Sequence, residues 1–183
     1  DGVIRRKLSQ ARVEMQEGGP GADRGWRLAL ARAARDHLKT ALEVKSLALT
    51  RASLAEVLEV PPDRALLAVL EGPGEGLGVL AISATVLQAM TEMLTIGRIA
   101  SAASAPRRPT RTDAAMLAPL IDASLCDLED GLAQEADLVW AGGWRYASFL
   151  DDPRPLGLML EDFNYRLLRA EVDLGRGAGG GTI

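Results

Sequence analysis

The sequence predicts a pseudo-twofold α/β fold, a duplicated half-domain with long helices packed on a mostly antiparallel sheet. Three observations predict it. The pattern Leu54-x3-Leu58-Glu59-x4-Arg64-x-Leu66-x-Ala68 recurs as Leu156-x3-Leu160-Glu161-x4-Arg166-x-Leu168-x-Ala170, displaced throughout by 102 residues. That displacement is far beyond the ~20–50 residue periods of solenoids and propellers, so it reads as duplication of a half-domain. Each copy also carries the same succession of strand, short helix and strand, preceded by a long amphipathic helix. Finally, 183 residues suffice for one well-buried domain, and a duplicated unit argues against two independent ones.

The elements follow in chain order. Residues 1–22 form a basic arm, helical from Val3 to Gln16 and broken by Gly18-Gly19-Pro20-Gly21. The domain spans 23–174. From Asp23, read as an N-cap, Trp26, Leu30, Ala33, His37 and Ala41 recur at helical spacing, with Arg24, Arg27, Arg32, Arg35 and Lys39 on the outer surface. A strand over Glu43–Leu49 and a short helix over Ser53–Leu58, stopped by Pro61-Pro62, come next. Arg64–Leu70 and Leu77–Ile82 are apolar runs joined by Gly72-Pro73-Gly74-Glu75-Gly76, which predicts an antiparallel hairpin. Ser83 then caps a helix whose Val86, Met90 and Met93 share a face, the methionines serving as core filler. This completes the first half, 23–98.

Residues 99–111 are small, Pro-containing and basic, and connect the halves. The second half, 112–174, opens with capping chemistry at Thr110-Arg111-Thr112-Asp113 and a long helix with a stripe of Leu117, Ile121, Leu125, Leu128 and Leu132, bent at Pro119. A strand from Trp144 to Leu150, a short helix near Pro155–Leu160 and a strand from Tyr165 to Leu174 repeat the order of the first half. Carried forward, the same displacement starts a last strand near Ala178, inside the Gly-rich segment 175–183, so the chain is expected to stop within or just before it. Because Asp1 is not a methionine, the chain is also expected to be a fragment of a longer protein.

The chemistry that is absent narrows the function. One histidine and one cysteine cannot build a Cys/His zinc site, and the lone Cys126 forms no intramolecular disulfide, which fits a reducing cytoplasmic compartment. A net charge of −4 gives no field favouring nucleic acid, and no run approaches the length of a membrane span. Gly175-Arg176-Gly177-Ala178-Gly179-Gly180 satisfies G-x-G-x-x-G, yet no helix follows to hold a pyrophosphate, so a hairpin turn or linker is the reading. His37, on the apolar stripe, is expected as a partly buried structural residue rather than a general base. Cys126, beside Leu125, is expected to be a buried, inert thiol. No catalytic residue, cofactor or metal is assigned. The first long helix is basic and the later one acidic (Asp113, Asp122, Asp127, Glu129, Asp130, then Glu135 and Asp137), so opposite fields could meet between subunits or stand as two solvated faces.

With the repeat and the Arg108-Pro109-Thr110-x-Thr112-Asp113 helix start established, roughly residues 24–174 resemble the middle domain of the flagellar motor switch protein FliM. That domain belongs to the wider fold family of the CheC and CheX phosphatases and FliY. The further matching parts are Leu42-Glu43-Val44 leaving the first long helix, the hairpin at 64–82 and the return strand Glu161–Leu174. The variant looks like divergent FliM-type proteins of some alphaproteobacteria.

The resemblance implies a non-enzymatic module of the cytoplasmic C-ring at the flagellar basal body, acting in torque generation and in control of rotation in chemotaxis. It implies FliG and neighbouring FliM-like subunits as partners, a FliN-type protein through a C-terminal domain beyond Ile183, and phosphorylated CheY. FliM-type domains meet FliG through a Gly-Gly-x-Gly loop after the helix that follows the hairpin. The corresponding residues are Thr95, Ile96, Gly97 and Arg98, with one glycine in place of three. Leu8-Ser9-Gln10 matches the start of the CheY-binding segment but lacks its acidic continuation. A CheC-like phosphatase is the alternative, and it needs a helix-borne Glu-x-x-Asn pair. Glu161-x-x-Asn164 has that spacing but falls where a short helix hands over to a strand, and both long helices lack asparagine. A type III secretion ring component is a further alternative that shares the assembly role.

Overall fold

The computed structural model describes residues 21–100, 105, 107–175 and 180–183. Helix α1 (Ala22–Ala33) runs into a π turn, Ala34–Leu38, and strand β1 (Glu43–Ala52) follows. Then come α2 (Leu54–Glu59), β2 (Leu66–Glu71), β3 (Leu77–Ile82) and α3 (Ala84–Ile96). The second half contributes α4 (Arg111–Gly131), α5 (Leu138–Ala141), β4 (Arg145–Leu150), α6 (Leu156–Met159), β5 (Tyr165–Asp173) and β6 (Gly180–Thr182).

The duplication is realised as an exchange between the halves. Strand β1 of the first half pairs with the β5–β6 hairpin of the second, while β4 of the second half pairs with the β2–β3 hairpin of the first. The antiparallel registers correspond under the 102-residue displacement. Leu47 faces Ala170 as Phe149 faces Ala68, and Ala48 faces Arg169 as Leu150 faces Leu67. Even the irregularity repeats: the register shifts between Val44 and Ser46 in one sheet and between Val69 and Leu70 in the other, where Ser148 and Tyr146 are the successive partners. A bulge moves every later side chain relative to its partner strand, so two bulges at matched positions keep both core faces in phase.

Two cores result. The main one lies between α1, α3, α4 and one face of the sheets, and it includes Leu66, Ala68, Leu70, Ala170 and Val172. The stripe Leu117, Ile121, Leu125, Leu128 and Leu132 is buried throughout, and Pro119 sits within the uninterrupted α4. On the opposite face a smaller core joins Ala65 and Leu67 to Leu156 and Leu160, with Leu54 and Leu58 packed against it. Leu54 and Leu156 are equivalent residues, so the two short helices close the reverse side together. Leu156 is 1 % exposed, and Leu156→Ala is expected to cost about 2–5 kcal/mol, measured by urea unfolding.

Three expectations about the helices are corrected. The N-cap of α1 is Gly21, not Asp23, whose carboxylate accepts from the Arg24 amide; the Ala22 amide is satisfied from afar by Asp137 Oδ2 at 2.8 Å. His37 and Ala41 are exposed, and Leu38 takes the buried position instead. For His37 the π turn is the cause, because its i→i+5 bonding inserts one residue and rotates the helix after Ala34 relative to the α period; Ala41 lies beyond the helix, which ends at Leu38 with Lys39 left-handed. Cys126 is exposed as well, since it lies just outside the buried stripe set by Ile121, Leu125 and Leu128.

Helix α4 begins with the predicted capping box. The Thr110 hydroxyl accepts from the Asp113 amide at 3.2 Å, and Asp113 Oδ2 accepts from the Thr110 amide at 2.7 Å. Arg107 adds a two-pronged contact to the same carboxylate, at 2.6 and 2.7 Å, which ties the connector to the helix start.

Candidate partner-binding surface at the end of α3

Helix α3 is held at both ends by different means. At its start, Ser83 is spent on the neighbouring strand: its amide donates to the Thr182 carbonyl at 2.9 Å and its Oγ accepts from the Thr182 amide at 3.0 Å. Thr85 Oγ1 donates to the Gly180 carbonyl at 2.8 Å. Val86, Leu87, Ala89 and Met90 then bury one face in the main core. Thr91 and Thr95 turn their hydroxyls back onto the helix, to the carbonyls of Leu87 and Thr91 at 3.0 and 2.8 Å.

Gly97 ends the helix. It adopts the left-handed conformation, φ 69°, and its amide donates to the Met93 carbonyl at 3.1 Å. Nothing lies within 4 Å of where its Cβ would be, so space does not demand glycine; backbone conformation does. Gly97→Ala is therefore expected to destabilise the fold by about 1 kcal/mol, read from urea unfolding.

The turn is a solvent-facing surface. Thr95, Gly97 and Arg98 are exposed, Ile96 is 55 % exposed, and Leu94 adds a further apolar side chain at 36 %. The four residues singled out from the sequence thus sit together at one helix end. The single glycine corresponds to a helix C-cap, with apolar side chains rather than bare backbone presented beside it. Two neighbours of this turn were not singled out from the sequence. Leu94 looks like one more core residue of a leucine-rich helix, and Glu92 acts through contacts that no short motif reveals: its carboxylate accepts from Gln88 Nε2 at 3.0 Å and from the Ala100 amide at 2.8 Å.

The other candidate groups lie elsewhere. Asn164 and Glu161 are exposed in the segment between α6 and β5, outside any helix. The Glu161 carbonyl is held there by the Phe163 amide at 2.9 Å and by the Tyr165 hydroxyl. At Cys126, the charges of Asp130 above all, with desolvation and then Asp127 and Glu129, raise the thiol above its ordinary pKa, the opposite of nucleophile activation. The basic and acidic helices face each other within the subunit, with Arg32 and Asp127 3.6 Å apart. A cavity of 180 Å³ lined by Trp26, Leu70, Leu80, Leu125, Leu168 and Ile183, among others, is largely apolar. Among the described residues no group of three or more His, Cys, Asp or Glu could hold a metal ion, and no helix is long and apolar enough to cross a membrane. Leu8-Ser9-Gln10 and residues 176–179 of the Gly-rich segment lie outside the described residues.

These features define a class: a pseudo-twofold domain of helices and exchanged antiparallel hairpins, with an apolar turn exposed at the end of α3. Solved structures that share this fold include FliM middle domains and chains of FliM complexes. A chain of the FliG–FliM complex from H. pylori aligns with a TM-score of 0.66 at 15 % identity, over 87 % of this chain and 88 % of that one. The FliM middle domain from Vibrio alginolyticus gives 0.61 at 11 % identity, over 88 % of each. The FliM–SpeE complex from H. pylori gives 0.61 at 14 %, over 85 % of this chain and 78 % of that one. At these identities the likeness establishes the fold, and the sequence is a divergent version of it. No protein-family model matches the sequence, and no curated protein matches it.

Proposed function

We propose that this chain is a non-enzymatic flagellar motor switch module that binds a FliG-type rotor protein through the end of α3. The observation that carries the reading is the exposed segment Leu94–Arg98, at the C-terminal end of the hairpin-following helix of a fold shared with a chain from a FliG–FliM complex. In this reading the domain stands in the cytoplasmic ring at the flagellar base beside FliM-like neighbours, and it takes part in torque generation and in control of rotation. A FliN-type protein and phosphorylated CheY are the further partners of such a module.

The phosphatase alternative is disfavoured by position. A Glu-x-x-Asn pair working on an aspartyl phosphate must project from one rigid helix face, and here Asn164 lies in an irregular segment whose preceding carbonyl is tied down in a turn. The test is co-purification of the chain with FliG from the same genome, run beside a phosphorylated-CheY dephosphorylation assay. FliG retention with unchanged phosphate loss is the expected result. Accelerated phosphate loss that disappears in Asn164→Ala would replace this reading with the phosphatase.

A further inference from the structure

We infer that Glu92 is a positioning residue of this surface, a latch that fixes the turn so that Leu94 and Ile96 can enter an apolar pocket of the partner; the inference rests on the FliG-binding reading above. Three features converge on it. The Glu92 carboxylate uses one oxygen for Gln88 Nε2 and the other for the Ala100 amide. Through the second contact the chain after Gly97 is folded back along α3, which lets Ile99 rest on the main core. Two polar groups of the turn are engaged internally, Thr95 Oγ1 with the Thr91 carbonyl and the Gly97 amide with the Met93 carbonyl.

The side chains that the turn presents to a partner are chiefly apolar, Ile96 foremost, with the exposed Arg98 at the rim. Where a glycine-rich loop offers close backbone approach, this turn offers a small hydrophobic knob of fixed shape. A knob of this kind contributes to affinity in proportion to how little order it must gain on binding, and the latch supplies that order in the free domain.

The test compares Glu92→Ala with Glu92→Gln. Glutamine keeps an oxygen that accepts from the Ala100 amide, whereas alanine removes the acceptor. Affinity for purified FliG is expected to fall about fivefold in Glu92→Ala and to stay within about twofold of the parent in Glu92→Gln. Amide exchange at Ala100 is expected to accelerate in the alanine variant alone, with the exchange of the α3 core amides unchanged. FliG binding by the parent with equal affinity in Glu92→Ala would overturn the latch and leave the binding surface standing. Equal losses in both variants would also overturn it, because they would assign the effect to charge. Failure of the parent to bind FliG would overturn the functional reading and this inference with it.

Discussion

Replacing Ile96 by aspartate is expected to weaken FliG binding by at least about thirtyfold while leaving the fold intact. The side chain is 55 % exposed and closes no part of either core, so removing it from the free domain costs little. In a complex the balance changes. Burying an isoleucine contributes about 1.5–3 kcal/mol, and a carboxylate in the same apolar pocket adds a desolvation cost with no counter-charge to offset it. At about 1.4 kcal/mol per factor of ten, the combined loss exceeds about thirtyfold. Titration calorimetry against FliG measures it, and circular dichroism checks the fold. Ile96 separates binding from folding better than Gly97, where a side chain also strains the left-handed turn.

The largest stability effect outside the apolar cores is expected at Asp113. Asp113→Ala removes the carboxylate half of the capping box and the two contacts to Arg107, from a residue only 2 % exposed, while the backbone amide of residue 113 still donates to the Thr110 hydroxyl. Loss of that half of the box costs up to about 1 kcal/mol. Orphaning a fully buried charge would add about 3–5 kcal/mol, but the Arg107 side chain is 63 % exposed and rehydrates when freed, so about 2–3 kcal/mol in total is the expectation.

The effect carries a pH signature. Burial pushes the Asp113 carboxyl up, but the Arg107 guanidinium, with the Thr110 amide and hydroxyl, outweighs it and leaves the pKa below the ordinary carboxylate value. A depressed folded pKa contributes stability that is fully present above the unfolded value of about 3.9 and is lost as pH falls through the folded one. The gap between parent and Asp113→Ala should therefore be constant near neutrality and narrow below about pH 4. Thermal melts across that range check it, and a gap that persists unchanged at about pH 2 would assign the effect to packing instead.

The architecture was legible because the duplication was. The shared Leu, Glu, Arg and Ala positions located both short helices and both central strands, and the equivalence of Ala68 with Ala170 extends to register and bulge. Thr110 and Asp113 were readable because a capping box is local chemistry at fixed spacing. His37 was misplaced because a π turn alters the period without a sequence mark, Ala41 because the helix ends earlier, at Leu38, and Cys126 because adjacency to Leu125 in sequence is a rotation of about 100° on a helix. Of the proposed surface, Thr95–Arg98 was singled out through resemblance. Leu94 was hidden because exposure of one leucine among many depends on tertiary packing, and Glu92 because its bond to Ala100 spans eight residues across a chain reversal.

The most direct test of the account is amide hydrogen exchange of the chain with and without saturating FliG. The account predicts a saturable complex in which protection concentrates on Glu92–Ala100, with the Ile96→Asp variant needing at least about thirtyfold more FliG to reach the same protection. Absence of a complex with the parent chain, or protection confined to other elements such as α1 or the segment around Asn164, would contradict it.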